Sequence, residues 1–246
     1  MMSLVFPTKA NAVSVISSTA AFAVYVDAPY VQGSYIAATY PKQSATETFD
    51  SITTDLSDCP DLSPVGSISG GDCKVIQGNH AGFYPYGGAI TTSSQALVGD
   101  TASVQSPSAA VYTSNGETIV FNSPKNYVGF WWSAGSISNN ISFYQGNNLL
   151  LTLTADDVYT SLPNDSSTLT ALDGITQYAT SNYYGHPINP TTYDSTEPFV
   201  YFHVFSQNGV TFDKIKISTS GNGFEDRKST RLNSSHIPLS RMPSSA

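Results

Sequence analysis

The stretch Asn126–Thr154, NYVGFWWSAGSISNNISFYQGNNLLLTLT, constrains the fold more than any other part of the chain. Tyr127–Trp132 is a continuous apolar run, rich in aromatic and β-branched side chains and too short for an ordinary helix. It predicts a strand buried on both faces or bulged at Gly129. Trp131 and Trp132 are adjacent, so in a strand they point to opposite faces. Asn140–Tyr144 and Leu149–Thr154 alternate across the Gly/Asn-rich turn Gln145-Gly146-Asn147-Asn148 and predict a hairpin. A second apolar block, Pro198–Ser218, is the expected partner. Within it, PFVYFHVF (Pro198–Phe205) and TFDKIKIS (Thr211–Ser218) flank Asn208-Gly209, the strongest short hairpin signal in the chain. In the second of these strands Phe212, Ile215 and Ile217 alternate with Lys214 and Lys216, apart from a slip at Asp213. One face is therefore in and one is out.

The remaining segments fit the same class. Val13–Val26 reads as a first strand or pair, Glu47–Ile52 as a strand, and Asp55–Gly82 as the least regular part. Ala109–Thr113 and Thr118–Phe121 predict a hairpin across Ser-Asn-Gly-Glu. Thr154-Ala155-Asp156-Asp157 has the form of a capping box, and Pro163 follows, so a helix is expected over Ala155–Ser161. Asn164–Tyr178 suggests another strand, and Tyr183–Asp194 a loop. Short strands, many turns and almost no helix predict an all-β chain: one antiparallel β-sandwich, jelly-roll-like, spanning residues 13–225, with one short helix near 155–161.

Composition narrows the partners. Charged residues make up only 11% of the 246, whereas Tyr (15) and Phe (12) are abundant, as strands favour. Residues 1–225 carry 6 Lys against 17 Asp and Glu, a net charge of −11. So acidic a surface repels phosphate backbones, which argues against nucleic acid. No run of 18 apolar residues occurs, so no transmembrane segment is expected.

Both ends depart from the domain. Leu4-Val5-Phe6 followed by Ala10-Asn11-Ala12 resembles the end of an apolar core and an A-x-A cleavage site. Residues 1–12 are accordingly read as the remnant of a truncated signal peptide; a frayed terminus is the alternative. At the other end, residues 226–246 hold all three arginines (Arg227, Arg231, Arg241), lack aromatic residues and show no strand period. Asp226–His236, DRKSTRLNSSH, is also what a standard short-read sequencing adapter spells when translated. Ser240–Ala246, SRMPSSA, matches the adapter's continuation after a variable index. The expectation is a non-native, disordered tail of adapter read-through, with the native sequence ending at or just before Glu225; a basic tail binding anionic surfaces is the alternative.

Candidate sites are few. Cys59 and Cys73 have neither a CxxC nor a metal-ligand spacing. In an oxidising compartment a Cys59–Cys73 disulfide would close a loop of about 15 residues, worth roughly 3 kcal/mol; two unpaired thiols are the alternative. Asp55, Asp58, Asp61 and Asp72 surround them and could supply oxygen ligands to a structural Ca²⁺, although no DxDxDG loop occurs and a solvated acidic loop is the plainer reading. Tyr84, Tyr86, Tyr183 and Tyr184 lie in turn-rich stretches and are the candidates for stacking on sugars; plain packing is the alternative. Catalytic signatures such as HExxH, GxSxG, GxGxxG and the P-loop are missing, so no catalytic residue is assigned. His80 and His186 fall in loops. His203, inside an apolar strand, reads as a hydrogen-bonded sheet residue rather than a base. Asp156 and Asp157 read as a helix cap rather than an acid–base pair.

An ordered set of segments carries a family resemblance: VGFWWS (Val128–Ser133), ISFYQGNNLL (Ile141–Leu150), YYGHP (Tyr183–Pro187), EPFVYF (Glu197–Phe202), TFDKI (Thr211–Ile215) and GFE (Gly223–Glu225). Together they resemble exosortase-dependent bacterial surface proteins of the PEP-CTERM type, over the second half of the domain. The resemblance implies export through a signal peptide, a β-sandwich ectodomain, and sorting by exosortase to the cell surface or extracellular matrix of a Gram-negative bacterium. The Pro-Glu-Pro motif, apolar helix and basic cluster that normally close such proteins do not occur here, and the resemblance assigns no functional residue. The leading expectation is a non-enzymatic surface protein that binds exopolysaccharide. A carbohydrate-active hydrolase and a structural module without ligand are the alternatives.

Overall fold

The computed structural model describes residues 14–29, 44–46, 65–70, 74–77, 109–113, 116–132, 137–172, 174, 176–184, 196–219 and 224–233, with the backbone alone at 44–46, 74–77, 109–113, 131 and 224–233. In chain order the strands are β1 (Ser17–Ser18), β2 (Phe22–Val26), β3 (Ser44–Thr46), β4 (Gly66–Ser69), β5 (Lys74–Gln77), β6 (Ala109–Thr113), β7 (Glu117–Lys125), β8 (Tyr127–Trp132), β9 (Asn139–Gln145) and β10 (Asn148–Thr154). Helix α1 (Ala155–Ser161) follows, then β11 (Thr168–Thr170), β12 (Gln177–Ala179), a 3₁₀ turn at Thr180–Tyr183, β13 (Val200–Ser206), β14 (Phe212–Thr219) and β15 (Phe224–Asn233). Every pairing is antiparallel. The chain is all-β.

Two sheets form. The larger has the order β1-β2-β13-β8-β15-β6-β5, with β3 joined to β15; the smaller has the order β10-β9-β14-β7-β4; and β11-β12 is a separate hairpin. Alternation along the strands builds a common core between them. Phe22, Val24 and Val26 of β2, Val128, Phe130 and Trp132 of β8, and Val200, Phe202 and Val204 of β13 join Ile141 and Phe143 of β9, Leu151 and Leu153 of β10, and Phe212, Ile215 and Ile217 of β14. At its centre Phe143 meets Phe212 edge-on at 5.3 Å, and Phe22 lies 6.0 Å from Phe143 and 6.1 Å from Phe212. Aromatic pairs at such separations add to the stabilisation from burial alone.

The described parts of Asn126–Thr154 fold as their residues predict. Strand β8 pairs with β13 from Tyr127↔Phe205 to Trp132↔Val200 without interruption. Gly129 makes no bulge in this pairing, and β8 is buried on both faces where its side chains are described. Strands β9 and β10 form the predicted hairpin, with Gly146 at φ 58° in its turn. Helix α1 occupies its predicted span. Thr154 Oγ1 accepts from Asp157 N at 3.1 Å, and Asp157 Oδ2 accepts from Thr154 N at 2.9 Å, a complete capping box. The slip expected at Asp213 is a register shift between Phe212 and Lys214.

Two predicted hairpins are corrected. Asn208 (φ 54°) and Gly209 (φ 75°) do form a tight turn, closed by Val210 N donating to Gln207 O at 3.0 Å. Yet β13 leaves it for the larger sheet and β14 for the smaller. Likewise β6 and β7, on either side of Gly116, belong to different sheets. The reason is burial. All seven positions of β13 are buried, whereas β14 alternates buried and part-exposed positions. A strand apolar on both faces is satisfied only where both its faces are covered. Val13–Val26 resolves into the pair β1-β2, and Asn164–Tyr178 into most of the β11-β12 hairpin. Strand β15 runs on past Glu225 to Asn233, through residues with no apolar period, held by backbone pairing to β8, β6 and β3. Its register against β8 shifts between Arg227 and Arg231. Glu47–Ile52 lies outside the described residues. No helix among those described is long and apolar enough to cross a membrane.

Candidate functional site

The second face of the larger sheet holds a buried polar network. Pairing places His203 of β13 opposite Tyr25 of β2 on one side and Gly129 of β8 on the other. Tyr127 and Phe205 stand one step along the same face, within a small apolar cluster of Ala23, Tyr25, Tyr127, Leu172 and Phe205. Asp27 sits directly after β2, tied to β13 by its backbone N–H donating to Tyr201 O at 3.1 Å. Its carboxylate Oδ2 lies 3.3 Å from His203 Nε2, and His203 Nδ1 lies 3.1 Å from the Tyr127 hydroxyl. A carboxylate accepts, so Nε2 carries a proton in this network, and in the neutral tautomer that leaves Nδ1 to accept from the phenol.

Gly129 makes room for this arrangement. A Cβ on it would stand 2.3 Å from the Tyr127 hydroxyl and 2.6 Å from that of Tyr201. A side chain at this point of β8 would displace the tyrosine hydroxyls that crowd around the imidazole. The imidazole is also enclosed by rings: Phe205 is stacked at 6.3 Å and 10°, and Tyr201 is edge-on at 5.1 Å.

Carboxylate, imidazole and hydroxyl in a row is also the order of groups in a nucleophilic triad. Here the hydroxyl is a phenol and the group is sealed: His203 is 0% exposed, and Asp27 and Tyr127 are buried beside it. A substrate atom cannot reach it in this conformation. What the row does is satisfy three buried polar groups with one another and so fix β2, β13 and β8 in a single register. The reading of His203 as a hydrogen-bonded sheet residue agrees with this. Asp27 escaped the sequence analysis, because its partner lies 176 residues away and nothing local marks the pair.

The tyrosine candidates separate. Tyr183 and Tyr184 are corrected as exposed sugar platforms: they are 1% and 4% exposed. Tyr183 ends the 3₁₀ turn and donates its hydroxyl to Asp27 O at 2.9 Å, which anchors it to the cluster. Tyr184 bridges to Pro198 and donates its hydroxyl to Leu162 O, closing the end of α1. Burial, then the Asp165 charge, pushes the Tyr184 hydroxyl up to about 12. Tyr159, whose ring centre is 6.3 Å from that of Tyr184, is pushed up to about 12 by burial, then by Glu197 and Tyr184. Asp165 is held low, first by the Ser167 backbone N–H. A Tyr-Tyr-Gly-His-Pro string looks like an exposed loop because polar tips and turn residues dominate it; which way the rings turn is a tertiary matter.

Trp132 is in the main core; of Trp131 only the backbone is described. Asp157 is the cap of α1, and Asp156 is exposed beside it. Tyr84, Tyr86, Asp55, Asp58, Asp61, Asp72, Cys59, Cys73, His80 and His186 all lie outside the described residues. Among the residues described, no three His, Cys, Asp or Glu side chains gather as metal ligands. No protein-family model, no curated protein and no solved structure gives a significant match to this chain.

Proposed function

We propose that this chain is the ectodomain of an exported bacterial surface or matrix protein, working as a non-enzymatic β-sandwich that binds exopolysaccharide. The observation behind the non-enzymatic part of this reading is the use made of His203. The one described imidazole sits with its carboxylate and phenol partners inside the fold, where it holds strands together. Such an investment in the scaffold fits a display module. Export, exosortase sorting and the Gram-negative surface rest on the resemblance of the six ordered segments. Sugar stacking falls to Tyr84 and Tyr86 once Tyr183 and Tyr184 are taken into the core.

The test is a glycan array probed with the full chain, run beside a hydrolysis assay on the same polysaccharides. Retention of a glycan without release of reducing ends is the expected result. Turnover of any glycan would return the hydrolase alternative, and neither binding nor turnover would leave a structural module.

A further inference from the structure

The smaller sheet keeps one face out of the core, and that face has a chemistry of its own. Pairing sets its side chains in rows. One row runs Leu149, Tyr144, Lys214, Val120 and Ser67; the next runs Thr152, Ser142, Lys216, Thr118 and Ser69. Leu149 is 57% exposed and Val120 43%, which marks the face as open. Lys214 lies 5.1 Å from the centre of the Tyr144 ring, a cation–π distance. Ser142 and Thr152 hydroxyls are 3.0 Å apart, and each keeps further hydrogen-bonding capacity towards solvent.

Neither row holds an acid. The described acids beside these strands are buried or engaged: Glu117, next to Thr118, is 2% exposed. Both Asp213 oxygens accept from Gly146 N, at 2.9 and 3.0 Å, and Asp157 caps α1. Two of the six lysines of residues 1–225 thus stand together in described rows that contain no acid, in a chain segment of net charge −11. Being two residues apart on one strand, they project in the same direction about 7 Å apart.

We propose that this open face binds an acidic polysaccharide, with Lys214 and Lys216 receiving successive carboxylates, the Tyr144 ring lying against a sugar, and the Ser142, Thr152 and Thr118 hydroxyls taking ring hydroxyls. The inference rests on the exopolysaccharide reading and names its ligand class and a set of residues other than Tyr84 and Tyr86. Charge complementarity selects this occupant. A second copy placed face to face would set lysine against lysine. A duplex nucleic acid would bring its dense phosphate charge against the acidic remainder of the chain. A carboxylated glycan offers sparser charge and many hydroxyls, which matches two cations among Ser and Thr.

The experiment measures affinity of the full chain for polygalacturonate, for neutral dextran and for a DNA duplex, at low and moderate salt. The double variant Lys214→Gln/Lys216→Gln and the single variant Tyr144→Ala accompany it, with melting temperatures to certify folding. Polygalacturonate should bind, weaken with salt, and lose roughly tenfold or more in the double variant, as expected for losing charge-assisted hydrogen bonds. Polygalacturonate binding untouched by the double variant overturns the face and leaves the exopolysaccharide reading standing on other residues. Equal binding of dextran overturns the acidic class, and equal binding of DNA overturns the glycan. No binding of either polysaccharide overturns this inference, and the reading beneath it falls as well only if the glycan array is also negative.

Discussion

The two sheets use the same alternation of side chains to different ends. At the centre of the larger sheet, β2, β13 and β8 are buried on both faces, so each residue of β13 answers to a neighbour above or below. In the smaller sheet, β14 and β9 bury one face and leave the other part-exposed. The first arrangement favours polar groups that satisfy one another, as His203, Asp27 and Tyr127 do. The second tolerates lysine, serine and threonine singly, because water completes their hydrogen bonds. The same residue type therefore has a different meaning in each sheet. A tyrosine in the larger sheet spends its hydroxyl on an imidazole, while Tyr144 on the open face keeps a lysine beside its ring.

Substitutions can break this contrast. The largest effect is expected at His203. His203→Ala removes the partner of a buried carboxylate and a buried phenol, and should cost about 3–5 kcal/mol in denaturant unfolding; a loss below about 1 kcal/mol would mean that the cluster does not hold the register. Next comes Gly129→Ala, whose Cβ must push the Tyr127 and Tyr201 hydroxyls aside. It should cost about 1–3 kcal/mol by the same measurement, and a neutral result would show that those rings yield freely. Alkaline titration probes the tyrosines packed at the end of α1. The Tyr159 and Tyr184 hydroxyls are raised from 10.0 to about 12 in the folded chain. Their contribution is fully present below pH about 10 and is lost as the pH rises towards about 12, because the unfolded chain releases those protons first. Melting temperature should therefore fall through that window, and fall less steeply in Tyr184→Phe. The smallest effect is expected on the open face, where Lys216→Ala should change stability by no more than about 0.5 kcal/mol. A larger loss there would erase the distinction between the sheets.

Much of the fold was legible because the chain's local chemistry and its packing agree. Alternation over Asn140–Thr154 with a Gly/Asn turn yields the β9-β10 hairpin, and Thr154 with Asp157 yields the cap of α1 at the predicted residues. The candidate site was less legible. His203 could be read as a sheet residue from its apolar neighbours, but Asp27 and the clearance at Gly129 depend on strands that meet only in the folded chain. Tyr183 and Tyr184 mislead for the converse reason: their neighbours are turn formers, yet their rings fill space beneath Asp27 and Leu162.

Asn208-Gly209 divides what each level decides. The dipeptide determined a tight turn by itself, because both residues tolerate positive φ and few others do. It could not determine whether the strands leaving that turn would pair with each other. That was settled by coverage: β13, apolar on both faces, is stable only between β2 and β8 with side chains above and below it, while β14, with lysines on one face, is stable only where that face meets water. Turn geometry is a property of two residues; the choice of sheet is a property of everything that packs against the strand.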